Sequence, residues 1–140
     1  MIKPSQTRLL MTALPEFVLK LAQGKNLAFS ASLNPNGSPH LTPTWVDTDG
    51  EYIIINTTVG KKKQRNLKRD PRVAVTIAEG AKIAIIQGRV EEQIEGELAK
   101  AHIDKLSQRY LGVDTFPYLK PGDVRVILKI APDSVIIQKQ

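Results

Sequence analysis

With 140 residues, 41% apolar and 24% charged, the chain has the make-up of a soluble globular protein with room for one core rather than two. It has no cysteine, which excludes disulfides, zinc–thiolate centres and thiol nucleophiles, and His40 and His102 alone are too few for a histidine-based metal cluster. The net charge is +6, and the whole excess lies between Gly60 and Arg72, where seven bases accompany one acid; the remainder balances 13 bases against 13 acids.

The opening "MIKPSQTRLLMTALPEF" has a broken apolar patch and no cleavage site, and no run approaches the roughly 20 apolar residues of a membrane span. A cytoplasmic protein is expected. The first helix is predicted from Pro15, suited to a first turn, through Phe17, Val18 and Leu21 on one side, to a stop at Gly24. "NLAFSASLN" has strand character, "NPNG" (Asn34–Gly37) is a turn, and "SPHLTPTWV" is the returning strand. "DTDG" (Asp47–Gly50) turns the chain again into "EYIIIN". "GKKKQRNLKRDP" predicts a short polar helix bounded by Gly60 and stopped before Pro71. "RVAVTIA" and "KIAIIQGRVEEQI" are two further strands parted by "EGA". "EGELAKAHIDKLSQRYLG" is the clearest helix, with Leu98, Ala101, Leu106 and Tyr110 near one face, acids early, bases late and Gly112 closing it. The loop "TFPYLKPGD" then leads to "VRVILKIAP" and "SVIIQ", one final strand or two.

A mainly β chain with a few flanking helices predicts a closed or nearly closed antiparallel barrel of five or six strands, formed as a single domain over residues 1–140. "YIII", "IAII" and "VIL" are apolar at consecutive positions rather than alternating, so both faces of those strands need cover. A helix covers part; a second copy of the chain is expected to cover the rest, as a homodimer.

Lys61, Lys62 and Lys63 open the basic helix, where three cations oppose the helix dipole unless an anion sits beside them. Free N–H groups at a helix start favour a phosphate, and the preceding Asn56, Thr57 and Thr58 add polar donors. No acid before Asp70 competes. The same segment lacks an aromatic residue to stack on bases, which speaks against nucleic acid as the partner.

The order of "GSPHLTPTWV", "YIIINTT", "KKKQRNLKRDPRVAV" and "GRVEE" resembles the flavin-binding split barrels, the pyridoxamine 5′-phosphate oxidase-like fold, and is most similar to the small deazaflavin (coenzyme F420)-dependent oxidoreductases within it. The resemblance implies a six-stranded split barrel and a cofactor, coenzyme F420 in preference to FMN, in a groove at a dimer interface. It implies phosphate contacts from Lys61, Lys62 and Lys63 after the strand end Asn56–Thr57–Thr58. It also puts Thr42, Thr44 and the backbone near Trp45 along the cofactor ring. Pro43 cannot donate to a sheet ladder, which suits a free edge where a ligand approaches.

Two departures argue against vitamin B6 oxidation: Ile83 stands where the true oxidases carry a glutamine, and their C-terminal substrate motif is replaced by "RVILKIAPDSVIIQKQ". No catalytic acid, base or nucleophile stands out, and His40 and His102 read as surface residues. That fits hydride transfer to a small conjugated substrate, in which the cofactor carries the chemistry. The alternative is a stress or storage protein of the same fold holding FMN or haem without efficient turnover. Substrate choice is expected from the loops around Gln93–Gly96 and Thr115–Asp123.

Overall fold

The computed structural model describes residues 11–139. In chain order these form α1 (Glu16–Gln23), β1 (Ala28–Leu33), β2 (Pro39–Thr44), β3 (Asp47–Thr48), β4 (Ile53–Thr58), α2 (Lys62–Arg69), β5 (Arg72–Glu79), β6 (Lys82–Glu95), α3 (Glu97–Leu111) and β7 (Arg125–Lys139). Most of the opening stretch read for export signals lies outside the described residues. No helix among them is long and apolar enough to cross a membrane.

All strand pairs are antiparallel and join one sheet in the order β2-β1-β5-β6-β7-β4-β3. Six of the strands are those expected; the seventh, β3, is two residues folded out of the "DTDG" turn. Alternation places Val73, Val75 and Ile77 of β5, Ala84 and Ile86 of β6, and Val126, Leu128 and Ile130 of β7 inward. They share one buried cluster with Ala28 of β1, Ile53 and Ile55 of β4, and Val18, Leu21 and Ala22 of α1. Strands from both ends of the sheet thus meet in one core: the sheet curls into a barrel that is split between its edges β2 and β3.

β6 and β7 are long, at 14 and 15 residues, and bend where their pairing shifts between Gln87 and Gly88 and between Val90 and Glu92. At the first shift Gly88 lies opposite Pro132, and Asp133 is the extra residue. A Cβ at Gly88 would stand 2.1 Å from the Ala131 carbonyl oxygen, so the two backbones approach as only glycine allows. Pro132, without an N–H, costs no ladder bond at such an irregularity. One strand, not two, therefore spans "VRVILKIAP" and "SVIIQ".

The outer face is covered unevenly. Ile54 of β4 is buried beside α3, whose Ala99, Ile103, Leu106 and Ser107 are also buried, outside the barrel core. This corrects the expected phase of α3: Leu106 is inside and Tyr110 half-buried, but Leu98 is 68% exposed and Ala101 is exposed. The helix is turned because its inner side meets polar Asn56 and Asp47 as well as the sheet. On the far side the row Phe29, Thr76, Ile85 and Ile136, side by side across β1, β5, β6 and β7, is left exposed or half-exposed by the described residues.

Candidate functional site

Two regions carry the polar chemistry. The first is the start of α2. After β4, Gly60 (φ +94°) turns the chain, the Lys61 N–H donates to the Thr58 carbonyl at 3.2 Å, and the Gly60 N–H donates to Gln64 Oε1 at 2.9 Å. Two side chains dock the helix: Gln64 Nε2 donates to Gln93 of β6 at 3.1 Å, and Asn66 Nδ2 donates to Ser32 Oγ of β1 and to Asn34. Of the seven clustered bases, Arg72 pairs with Asp70, the only acid, and Arg69 donates to the Leu33 carbonyl. Lys61, Lys62, Arg65 and Lys68 project into solvent.

Lys63 differs from all of these. It is only 8% exposed, and among the described residues its ammonium has neither a hydrogen bond nor an ion pair. Burial pulls its pKa down to about 8. A buried ammonium without a counter-charge is costly, and it gains most from an anion that enters beside it.

The second region is a cavity of about 320 Å³ outside β4 and β7, next to α3. Leu27, Pro43, Trp45, Ile103 and Phe116 form its apolar wall, and Thr44, Asn56 and Arg125 its polar groups. Trp45 stacks on Tyr110 at 4.8 Å and 6°, and Phe116 meets Trp45 edge-on at 5.9 Å. The Tyr110 hydroxyl donates to the Asn26 carbonyl at 2.6 Å, which fixes the aromatic wall to the start of β1.

Behind the cavity runs a chain of hydrogen bonds. The buried Asp47 carboxylate receives His102 Nε2 at 2.9 Å, Arg109 Nη2 at 2.8 Å and Lys105 Nζ at 3.4 Å. Burial alone would raise the Asp47 pKa, but the bonds from His102 and Arg109 prevail and hold it well below the usual carboxylate range. His102 Nδ1 lies 3.1 Å from Asn56 Nδ2, which also donates to the Ala99 carbonyl at 2.9 Å. An amide nitrogen only donates, so Nδ1 accepts and Nε2 carries the proton toward Asp47. Asn56 Oδ1 then accepts from Arg125 Nε at 2.9 Å, and Arg125 Nη1 donates to Thr58 Oγ1 at 2.8 Å.

The residues expected at the site from sequence fall into three places. Thr44, Trp45 and Asn56 line the cavity, with Thr58 behind it as a partner of Arg125. Lys61 and Lys62 are exposed at the start of α2, with Lys63 buried beneath. Thr42 and Thr57 face the barrel interior; among the described residues the buried Thr42 hydroxyl has no partner, nor does that of Ser30 opposite it. Pro43 lies on β2, an edge strand paired only to β1.

Asp47, Arg109, Phe116 and Arg125 were not singled out in the sequence, and His102 was read as a surface residue. His102 is a correction: its side chain is 12% exposed and bonded on both ring nitrogens, not a surface group. Arg125, one base in the apolar run "VRVIL", was the available signal, and Phe116 does come from the loop expected to shape the pocket.

An antiparallel barrel split between its edge strands, with three helices outside the sheet and a basic helix start after β4, is the split-barrel class. The family model described as pyridoxamine 5′-phosphate oxidase matches residues 14–139, and the chain belongs to that family. Among solved structures it is similar to an F420 reductase, at 26% identity and TM-score 0.74 over 88% of this chain and 98% of that one. A conserved hypothetical protein, Rv2991, from Mycobacterium tuberculosis is 21% identical, with TM-score 0.73 over 93% of this chain and 87% of that one. General Stress Protein 26 from Bacillus anthracis str. Sterne shares the fold at 17% identity, with TM-score 0.61 over 88% and 92%. No curated protein matches in sequence.

Proposed function

We propose that the protein is an oxidoreductase that binds a flavin-type cofactor, coenzyme F420 in preference to FMN, and directs hydride from it to a small conjugated substrate. Lys63 carries this conclusion: a buried ammonium with no counter-charge among the described residues, at the start of α2, is suited to a cofactor phosphate. Family membership and the likeness to an F420 reductase support it.

When bound, the cofactor supplies the hydride. The chain's own work is binding and orientation. Lys61, Lys62 and Lys63 with the first N–H groups of α2 would hold the phosphate; Asn56, Thr57 and Thr58 lead the chain to that point. Beside Thr42, Thr44 and Trp45, the free edge of β2 offers the backbone groups of alternate residues to a ring edge, and Pro43 leaves that edge one donor short. Trp45, Phe116 and Ile103 give the adjoining cavity its apolar wall. Vitamin B6 oxidation is not the proposed activity.

A homodimer is part of the proposal. The uncovered row across four strands includes Phe29, 41% exposed, and Ile136, 57% exposed. Half-buried Ile85 lies between them, as expected of a face that a second copy would cover. A cytoplasmic location belongs to the same proposal.

The test is titration of the cofactor-free protein with coenzyme F420 and with FMN, read through the fluorescence of Trp45, the only tryptophan. Saturable quenching by F420 at lower concentration than FMN is expected, and quenching by neither would overturn the proposal. Oxidation of the bound reduced cofactor by an added conjugated acceptor separates turnover from a storage protein holding FMN or haem.

A further inference from the structure

The cavity beside Trp45 contains a charge that nothing among the described residues balances. Arg125 enters it from β7 with two of its groups committed, Nε to Asn56 and Nη1 to Thr58, while Nη2 bonds nothing among the described residues. Among the described residues it makes no salt bridge. Asp123, two residues earlier, instead accepts the Lys120 N–H at 2.9 Å. The guanidinium lies over the Phe116 ring, 5.0 Å from its centre. Burial pulls Arg125 down from the usual guanidinium range, only partly opposed by Asp123.

The guanidinium is also held rigidly. Arg125 is fixed by Asn56, Asn56 by the Ala99 carbonyl and His102, and His102 by Asp47, which Arg109 anchors in turn. From the other side Asp104, paired to Lys100, accepts the Phe116 N–H at 2.8 Å and fixes that ring. A preorganised fork aimed into a space walled by aromatic and aliphatic groups recognises a flat apolar body ending in a carboxylate. A neutral ligand would leave the cation desolvated and unpaired.

We propose that this cavity is the acceptor subsite of the enzyme and takes a small planar conjugated carboxylate, its carboxylate on Arg125 and its body against Trp45 and Phe116. That this ligand is the substrate rests on the cofactor proposal above; its binding does not. His102 and Asn56 are positioning residues that act through Arg125.

The experiment compares trans-cinnamate with its uncharged isostere, cinnamamide, by calorimetric titration of the full cofactor-free chain. Cinnamate is expected to bind about tenfold or more tightly than the amide, the worth of a charge-assisted contact. In Arg125→Gln that preference should vanish while the weak amide binding stays. Equal binding of acid and amide to the natural chain, or binding of neither, overturns the proposal, and this arm needs no variant to fold. So does an acid preference that survives in folded Arg125→Gln.

Repeating the titration at saturating coenzyme F420 or FMN separates two sources of the anion. Continued cinnamate binding supports a substrate subsite; competitive displacement gives the guanidinium to the cofactor and sinks the assignment. Lys63→Ala, which weakens cofactor binding in the proposal above, should leave cinnamate affinity unchanged. The cofactor site and this subsite can therefore fail separately.

Discussion

The start of α2 and the cavity beside α3 both present cations to a ligand, yet they are built in opposite ways. At α2 the charge is contiguous, mostly solvated, and concentrated into a single buried ammonium that nothing local steadies. In the cavity there is one guanidinium, and five other side chains on three elements hold it in place. A site for a strongly charged group can rely on charge density. A site that must orient a weakly charged one needs rigidity, and rigidity here comes from a buried hydrogen-bond chain.

If that contrast is right, removing charge should have opposite effects on stability in the two regions. The largest expected effect is Asp47→Ala, which leaves Arg109 and Lys105 without their counter-charge and the His102 N–H without its acceptor. Loss of about 3–5 kcal/mol of unfolding free energy in urea is expected, as for breaking a buried pair from one side. A loss near zero would mean that the chain behind Arg125 is ornamental. Lys63→Met should do the reverse, stabilising the cofactor-free chain by about 1–2 kcal/mol because a desolvated ammonium is replaced by an apolar group of similar length. Lys63→Ala should lower cofactor affinity about tenfold or more in the Trp45 titration, the loss of one charge-assisted phosphate contact.

pH sharpens the comparison. The folded pKa of Lys63 lies below its unfolded value, so free-chain stability should rise as pH climbs from about 8 toward the ordinary lysine range, where the unfolded chain still binds the proton. Phosphate binding needs the charged ammonium, so its affinity should fall as pH rises through about 8. An affinity flat from pH 7 to pH 9 would remove Lys63 from the phosphate site. Asp47 has the opposite sign: its folded pKa is depressed, so its contribution is whole above the usual carboxylate range and is lost only in strong acid. The smallest effect concerns salt. Raising ionic strength should weaken phosphate binding at solvated α2 more than cinnamate binding in the cavity, because the half-buried charge is screened less.

The same difference explains what the sequence made legible. Pro15 and Gly24, Gly60 and Pro71, and Gly112 mark helix ends because they act on their own backbone, and those boundaries lie close to where they were expected. Six strands were readable from local composition, but β3 was not, since two residues within a turn become a strand only when β4 lies beside them. The lysines were readable because three stand in a row. Nothing in the chain announced that His102 would reach Asp47, 55 residues away, or Arg125 reach Asn56, 69 residues away. The rotation of α3 that exposes Leu98 has the same origin, because Ala99 and His102 are drawn to Asn56 by polar bonds that an apolar count does not register.

The irregularity opposite Gly88 works on β7 like a change of reading frame. Before it, even-numbered residues point into the barrel: Val126, Leu128 and Ile130. After it the odd ones do, with Val135 and Ile137 packed on the core and Ile136 outside. Asp133 is the residue that switches the parity, so its deletion would remove the pair with Arg89 and the hydrogen bond from the Thr12 hydroxyl to its carbonyl, and would also turn the strand's tail inside out. For this stretch of chain, the number of residues decides the fold as much as their kind.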